Sequence, residues 1–180
     1  VPTFFSSKGV TPGMTIDQVN AVRSDVRLEE KVPETRQRYA LSALVAHRTG
    51  STTIRFDERL YIDSWALMAT TTDFMVPVDV NDVFRIWPHL RFNAQKGVSF
   101  WNLAYLVKET AGGVTVPGLR AGDRELGPLI GVTGGGGFRI GGDAVGFTAK
   151  GDVIYTRFLD HLYISQRLAG LVTTAFEGKF

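Results

Sequence analysis

The sequence predicts an all-β fold: an antiparallel up-and-down transmembrane β-barrel of about eight strands, read as complete or as the C-terminal part of a larger barrel. Three observations lead there. Beyond residue 35 apolar and polar residues alternate with a period of two, the signature of a pleated strand between two media. The 20 glycines, with abundant Thr, Val, Phe and Tyr, favour strands and turns over helices. No window approaches the eighteen apolar residues of a membrane-crossing helix, while neutral average hydropathy is what alternating faces produce.

Residues 1–35 form a separate polar N-terminal arm with Pro2, Pro12 and Pro33. Within it, residues 14–30 carry loose helical spacing of Ile16, Val19, Val22, Val26 and Leu28, with Thr15 and Gln18 placed as a capping box. Residues 36–180 hold the strands. The first, 38–47, has Tyr39, Leu41, Ala43 and Val45 on one face. In 53–63, Ile54, Phe56, Leu60 and Ile62 share a face with the intruder Glu58, opposite Arg55, Asp57, Arg59, Tyr61 and Asp63. A parity switch at Asp63-Ser64 predicts a tight turn into a strand over 64–76, with Trp65, Leu67 and Ala69 apolar together. The clearest segment is 83–95: Phe84, Ile86, Pro88, Leu90, Phe92 and Ala94 alternate with the mostly polar Val83, Arg85, Trp87, His89, Arg91, Asn93 and Gln95. Pro88 predicts a local ladder defect there. Strands are further expected over 98–108, with Trp101, Leu103, Tyr105 and Val107, and over 126–140 and 147–159. The last, 162–180, has Leu162, Ile164, Gln166, Leu168, Gly170, Val172, Thr174, Phe176, Gly178 and Phe180 on its mainly apolar face. Turns are expected at 49–50, 63–64, 79–82, 96–97, 141–143 and near 160, and one long glycine-rich connection at 109–125, placed outside the cell by its length.

The alternation fits two inverted barrels, one soluble with an apolar interior and one with an apolar exterior in lipid. Strand length near the 9–11 residues that cross a bilayer, aromatics near strand ends (Trp65, Phe74, Phe84, Trp101, Tyr105, Phe176, Phe180) and the terminal amphipathic strand favour the second. The expected lumen residues are Arg55, Asp57, Arg59, Arg85, His89, Arg91 and Arg167. The expected lipid-facing residues are Phe84, Ile86, Leu90, Phe92, Val172, Phe176 and Phe180.

A terminal aromatic such as Phe180 resembles the closing strand of bacterial outer-membrane barrels, where it belongs to the assembly signal; Gly178 departs from that pattern. The runs at 33–39 (PETRQRY), 59–65 (RLYIDSW), 90–95 (LRFNAQ) and 123–126 (DREL) resemble the C-terminal half of a family of Gram-negative outer-membrane barrels of unknown function, over residues 33–180. The resemblance implies membrane location and fold, with the bilayer and the barrel-assembly machinery as partners. It implies no activity.

Candidate chemistry is sparse. Gly134 to Gly137 are followed by Phe138-Arg139-Ile140 rather than the Lys-Ser or Lys-Thr of a phosphate loop, so they read as close packing or a bulge. His47, His89 and His161 have no metal spacing and no cysteine to help. No His lies two residues before a Ser, the resemblance marker of outer-membrane lipid hydrolases. Asp57, Glu58 and Asp63 read as a salt-bridged wall with Arg55 and Arg59, and Trp65 and Trp101 as interfacial anchors. A net charge of +2, spread along the chain, gives no nucleic-acid stripe. The expectation is a structural or pore-type, porin-like protein of the bacterial outer membrane, not an enzyme, with no cofactor and no metal. Excess lumen arginine predicts a preference for anions. The alternatives are a membrane component of a larger envelope complex docking through the arm, and a soluble ligand-binding barrel with a cavity lined by Phe84, Ile86, Leu90 and Phe92.

Overall fold

The computed structural model of the chain describes residues 4–142 and 144–178; Asp143, Lys179 and Phe180 lie outside the described residues, and so does Phe180's expected lipid-facing position. The protein is all-β, built on one antiparallel sheet of eight strands with almost no helix. Among the described residues no helix is long and apolar enough to cross a membrane.

The elements in chain order begin with β1 (Phe5–Ser6) and α1 (Ile16–Ala21). The sheet then starts with β2 (Arg38–Thr49), β3 (Thr52–Asp63), β4 (Met68–Met75), β5 (Val78–Asn81) and β6 (Phe84–Lys96). An excursion over 97–128 holds β7 (Tyr105–Leu106), β8 (Lys108–Thr110) and β9 (Gly113–Thr115), and β10 (Leu129–Gly141), β11 (Val145–Phe158) and β12 (Gln166–Gly178) complete the sheet. Its order is β12-β11-β10-β6-β4-β3-β2, so neighbours in the chain are neighbours in space. Among the described residues β2 and β12 are each paired on one side only.

β4 and β5 lie in one line between β3 and β6. They keep the same register with β6 at Met75↔His89 and Val78↔Ile86. The interruption falls at Val76-Pro77, opposite Trp87-Pro88. Pro88 has no N–H to give, but its carbonyl accepts from Val76 N at 3.0 Å, so the expected defect is confined to the neighbouring strand. β6 itself runs unbroken, as does β10 through all four glycines, and there is no bulge between them.

Four expectations need correction. The turn after Asp63 is longer than a tight turn, spanning 64–67, because the Asp63 carboxylate gathers it. Its Oδ1 accepts from Trp65 N at 2.9 Å and Leu67 N at 3.0 Å, and it holds Ala66 at a φ of 64°. β4 therefore starts at Met68. Ala69 faces the polar side, opposite Tyr61 and Gln95, while Leu67 sinks into a cluster with Val98, Phe100 and Ala121. Residues 98–108 do not form a long strand. The residues expected on one face divide between two separate clusters, Trp101 packing against the one above and Tyr105 and Val107 lying in another with Phe5. Trp65 and Trp101 are half-buried against the first cluster, their indole N–H groups donating to Thr35 O and Asp123 O, and Tyr105, 2% exposed, lies inside the second rather than in an interfacial belt. Finally, the helix in the arm is only six residues, with the expected Thr15–Gln18 capping box. It stops because the chain after it returns to β1, through Ser24 N→Phe5 O and Ser7 N→Val22 O, both 3.0 Å. The arm is thereby folded against the excursion, β1 pairing in parallel with β7.

Candidate functional site

Residues directly opposite in a ladder share a face, so the register assigns every strand residue to one of two surfaces. One surface carries Arg55, Asp57, Arg59, Arg85, His89, Arg91 and Arg167 together, and adds Asp73, Lys150 and Asp152. The other carries Phe84, Ile86, Leu90, Phe92, Val172 and Phe176. Both groups chosen from the sequence are thus each brought to a single face. Asp73, Lys150 and Asp152 were missed, because the weaker alternation in their strands hid which parity was polar.

The polar face is most enclosed around His89. Its side chain on β6 and that of Asp152 on β11 reach toward each other across the intervening β10, and Nε2 lies 2.6 Å from Asp152 Oδ1. Both side chains are almost completely buried, at 2% and 6% exposed. Gly135 sits opposite both residues in the two ladders. A Cβ there would overlap the Asp152 carboxylate and the Gly151 carbonyl. At Gly137 a Cβ would come 2.6 Å from Cζ2 of Trp87, whose ring lies over that position. Every second glycine of the run is therefore required by a side chain lying across β10. That is the close-packing role expected for the run, and its ligand is the protein itself.

Charges extend the cluster. Lys150 Nζ is 3.0 Å from Asp152 Oδ2, and Arg91 holds Asp73 through Nε and a terminal nitrogen, both at 2.7 Å. Asp73 Oδ2 stands 3.9 Å from Nδ1 of His89, too far to bond, and Nδ1 has no hydrogen-bond partner among the described residues. The imidazole is thus poised between two carboxylates, each already held by a cation. Among the described residues no hydroxyl bonds either ring nitrogen. Among the described residues no group of three or more His, Asp or Glu could hold a metal ion. The arrangement acts as a buried polar strut joining three strands.

Toward β3 the face opens into a polar cavity of about 520 Å³ lined by Ser42, Arg55, Arg59, Thr71, Asp73 and Arg91. Arg55 is matched by Asp57 at 2.6 Å, and Arg91 by Asp73, whereas Arg59 makes no ion pair among the described residues. The expected wall of Asp57, Glu58 and Asp63 with Arg55 and Arg59 is therefore divided. Asp63 instead takes Arg36 Nε at 2.7 Å and the Tyr61 hydroxyl at 3.0 Å, and Glu58, on the apolar face, accepts from the Thr70 and Thr72 hydroxyls. Arg85 and Arg48 share Asp79, and Arg167 pairs with Glu125 of the excursion at 2.9 Å. The remaining histidines stand apart: His47 contacts Thr49 Oγ1 at 3.1 Å, and His161 packs on Phe158 in the loop before β12.

A family of proteins of unknown function, DUF3570, matches residues 12–139, and the chain belongs to that family. The match takes in most of the arm and the excursion as well as the strands from β2 to most of β10. No curated protein and no solved structure matches the chain.

Proposed function

We propose that the protein is a non-catalytic wall of a transmembrane β-barrel in a bacterial outer membrane, its apolar face on lipid and its polar face on a lumen. The observation that carries this reading is the inversion of burial. Leu41, Leu168, Val172 and Phe176 are 70–78% exposed, while His89, Asp152 and Thr133 are 7–9% exposed. In water such a sheet would present large contiguous apolar area to solvent, which soluble proteins avoid. A soluble barrel would instead enclose Leu90 and Phe92, both exposed on the apolar face.

Supporting features are of the same kind. β2, β3, β6, β10, β11 and β12 are 12–14 residues long, enough to cross the hydrocarbon when tilted. The register sets Phe84, Phe147 and Phe176 in one row, with Ile140 between the first two, as an aromatic girdle requires. The short connections of β2–β3, β5–β6 and β10–β11 lie at that end of the sheet, and the longer ones, including the excursion, at the other. Within lipid every backbone group needs a partner, so β2 and β12 have to be paired on their outer sides, with each other or with further strands. The arm's β1 is already paired with β7, which leaves docking through that strand without support.

The test is electrophoresis of the detergent-folded chain with and without boiling, followed by planar-bilayer recording. A heat-dependent mobility shift with β-sheet circular dichroism supports the barrel. A chain that stays soluble and monomeric without detergent removes it. Conductance with cation preference would overturn the anion-selective lumen while leaving the barrel standing.

A further inference from the structure

We infer that the apolar face carries a site for one phosphate-bearing lipid of net negative charge, its acyl chain lying in a groove between β3 and β10 and its anionic headgroup held by Lys96 and Arg157; the inference rests on the membrane reading. The groove follows from the register. One row across the apolar face runs Leu41, Leu60, Thr70, Ala94, Ile130 and Arg157 through β2, β3, β4, β6, β10 and β11. Two short side chains, Thr70 and Ala94, thus lie between taller aliphatic walls, and Met68 and Leu159 extend those walls toward the sheet end. The depression has a volume of about 860 Å³, within the range of about 300–1,000 Å³ typical of small-molecule sites, and is lined almost wholly by apolar atoms.

Charge selects the occupant. Lys96 is two residues along β6 from Ala94, about 7 Å, and Arg157 is two strands across, about 10 Å. Both are exposed, both lie on the apolar face, and neither makes an ion pair among the described residues, whereas the cations of the polar face are mostly paired. The acidic group beside the groove, Glu58, is engaged by Thr70 and Thr72 one row further from the sheet end, away from the two cations. Tyr39 adds an amphipathic ring at the same rim. A lipid chain lying in the trough therefore has one unpaired cation at the sheet end, Lys96, and a second beside the trough on β11, Arg157, both within side-chain reach of one anionic headgroup.

The experiment uses the full chain in non-ionic detergent, with native mass spectrometry after adding phosphatidylglycerol or phosphatidylcholine of identical acyl chains. The wild type should retain phosphatidylglycerol at least about fivefold better, the effect of one basic group at a membrane surface. The double variant Lys96→Gln, Arg157→Gln, which alters only exposed side chains, should retain both lipids equally. Ala94→Phe, which fills the trough, should lose both while keeping the heat-dependent gel shift. Equal retention of the two lipids by the wild type, or undiminished phosphatidylglycerol on a folded Ala94→Phe chain, would overturn the site. Displacement by millimolar inorganic phosphate alone would also overturn it, since the groove would then contribute nothing. Insertion into pure phosphatidylcholine vesicles is read separately: if that fails, the membrane reading fails, and if it succeeds without lipid discrimination, only this site does.

Discussion

Replacing Gly135 with alanine tests the cross-strand strut directly, and its neighbour Gly134 supplies the control. Both lie in the middle of β10, and neither has a positive φ, so alanine suits the backbone at each. They differ in what a methyl group meets. At Gly134 nothing lies within 4 Å, so Gly134→Ala should be neutral or stabilising by about 0.4–1 kcal/mol through the unfolded chain. At Gly135 the methyl overlaps both the Asp152 carboxylate and the Gly151 carbonyl. Overpacking of this kind costs about 1–3 kcal/mol. If Asp152 yields by rotating away, His89 and Lys150 lose their buried partner, and breaking such a pair costs about 3–5 kcal/mol. The cheaper route sets the outcome, so Gly135→Ala should destabilise by about 1–3 kcal/mol. Guanidinium unfolding of the detergent-folded chain, followed by tryptophan fluorescence, reads the difference. Asp152→Ala removes one of the two overlaps, so the alanine at 135 should cost less in that background, a non-additivity expected only of groups in contact. Equal stability of the two single glycine variants would refute the account of the glycine run.

Other consequences follow from the same geometry. On the proposed barrel reading, Arg59→Glu should reduce anion selectivity in bilayer recordings more than Arg55→Glu, because Asp57 already neutralises Arg55; equal effects would show that pairing does not set the field along the polar face. Asp63→Ala should cost about 3–5 kcal/mol in the same unfolding assay, since it strips Arg36, the Tyr61 hydroxyl and two backbone N–H groups of one buried acceptor. Tyr105→Phe should cost about 1–3 kcal/mol, because the hydroxyl accepts from Ala121 N at 2.8 Å and donates to the Phe100 carbonyl at 2.9 Å, and a buried N–H is left unpaired. Burial, reinforced by the Arg124 charge, pushes the His161 imidazole below its usual range, so the folded state resists its protonation. Its contribution is complete above the unfolded pKa of about 6.5 and is lost as pH falls toward the folded value. His161→Gln should therefore flatten the pH dependence of stability below that point.

What was legible in the sequence was whatever the period of two carries. The strand 83–95 alternates cleanly because it is central and has a different environment on each face, and its assignment fixed the face of His89 and Leu90 alike. The excursion deceived for a related reason. Trp101, Tyr105 and Val107 share a parity like residues of one strand, yet Trp101 packs against one small core and Tyr105 and Val107 fill another while the backbone turns between them. Periodicity reports burial and not hydrogen bonding, so it cannot separate these cases. The turn at 64–67 was misjudged because its length is set by one carboxylate binding two backbone N–H groups, a contact that residue type alone does not announce. The His89–Asp152 contact was beyond sequence reading altogether. It joins residues 63 apart, and the signal that pointed to it was the glycine run, whose meaning depends on what lies across it.

That dependence explains how a strand with four consecutive glycines holds its place. Glycine brings no side chain to pack and loses the most freedom on ordering, so β10 should be the weakest strand of the sheet. The neighbours compensate at alternate positions: Asn93 lies over Gly131, His89 and Asp152 meet over Gly135, and Trp87 covers Gly137. All three coverings fall on the polar face. On the other face Gly134 is open, and Gly136 meets only the backbone of Trp87 and Pro88. A strand stapled from one side and bare on the other is suited to a boundary where one side must be filled by protein and the other is filled by a fluid. On the proposed membrane reading lipid tails supply that filling without specific partners.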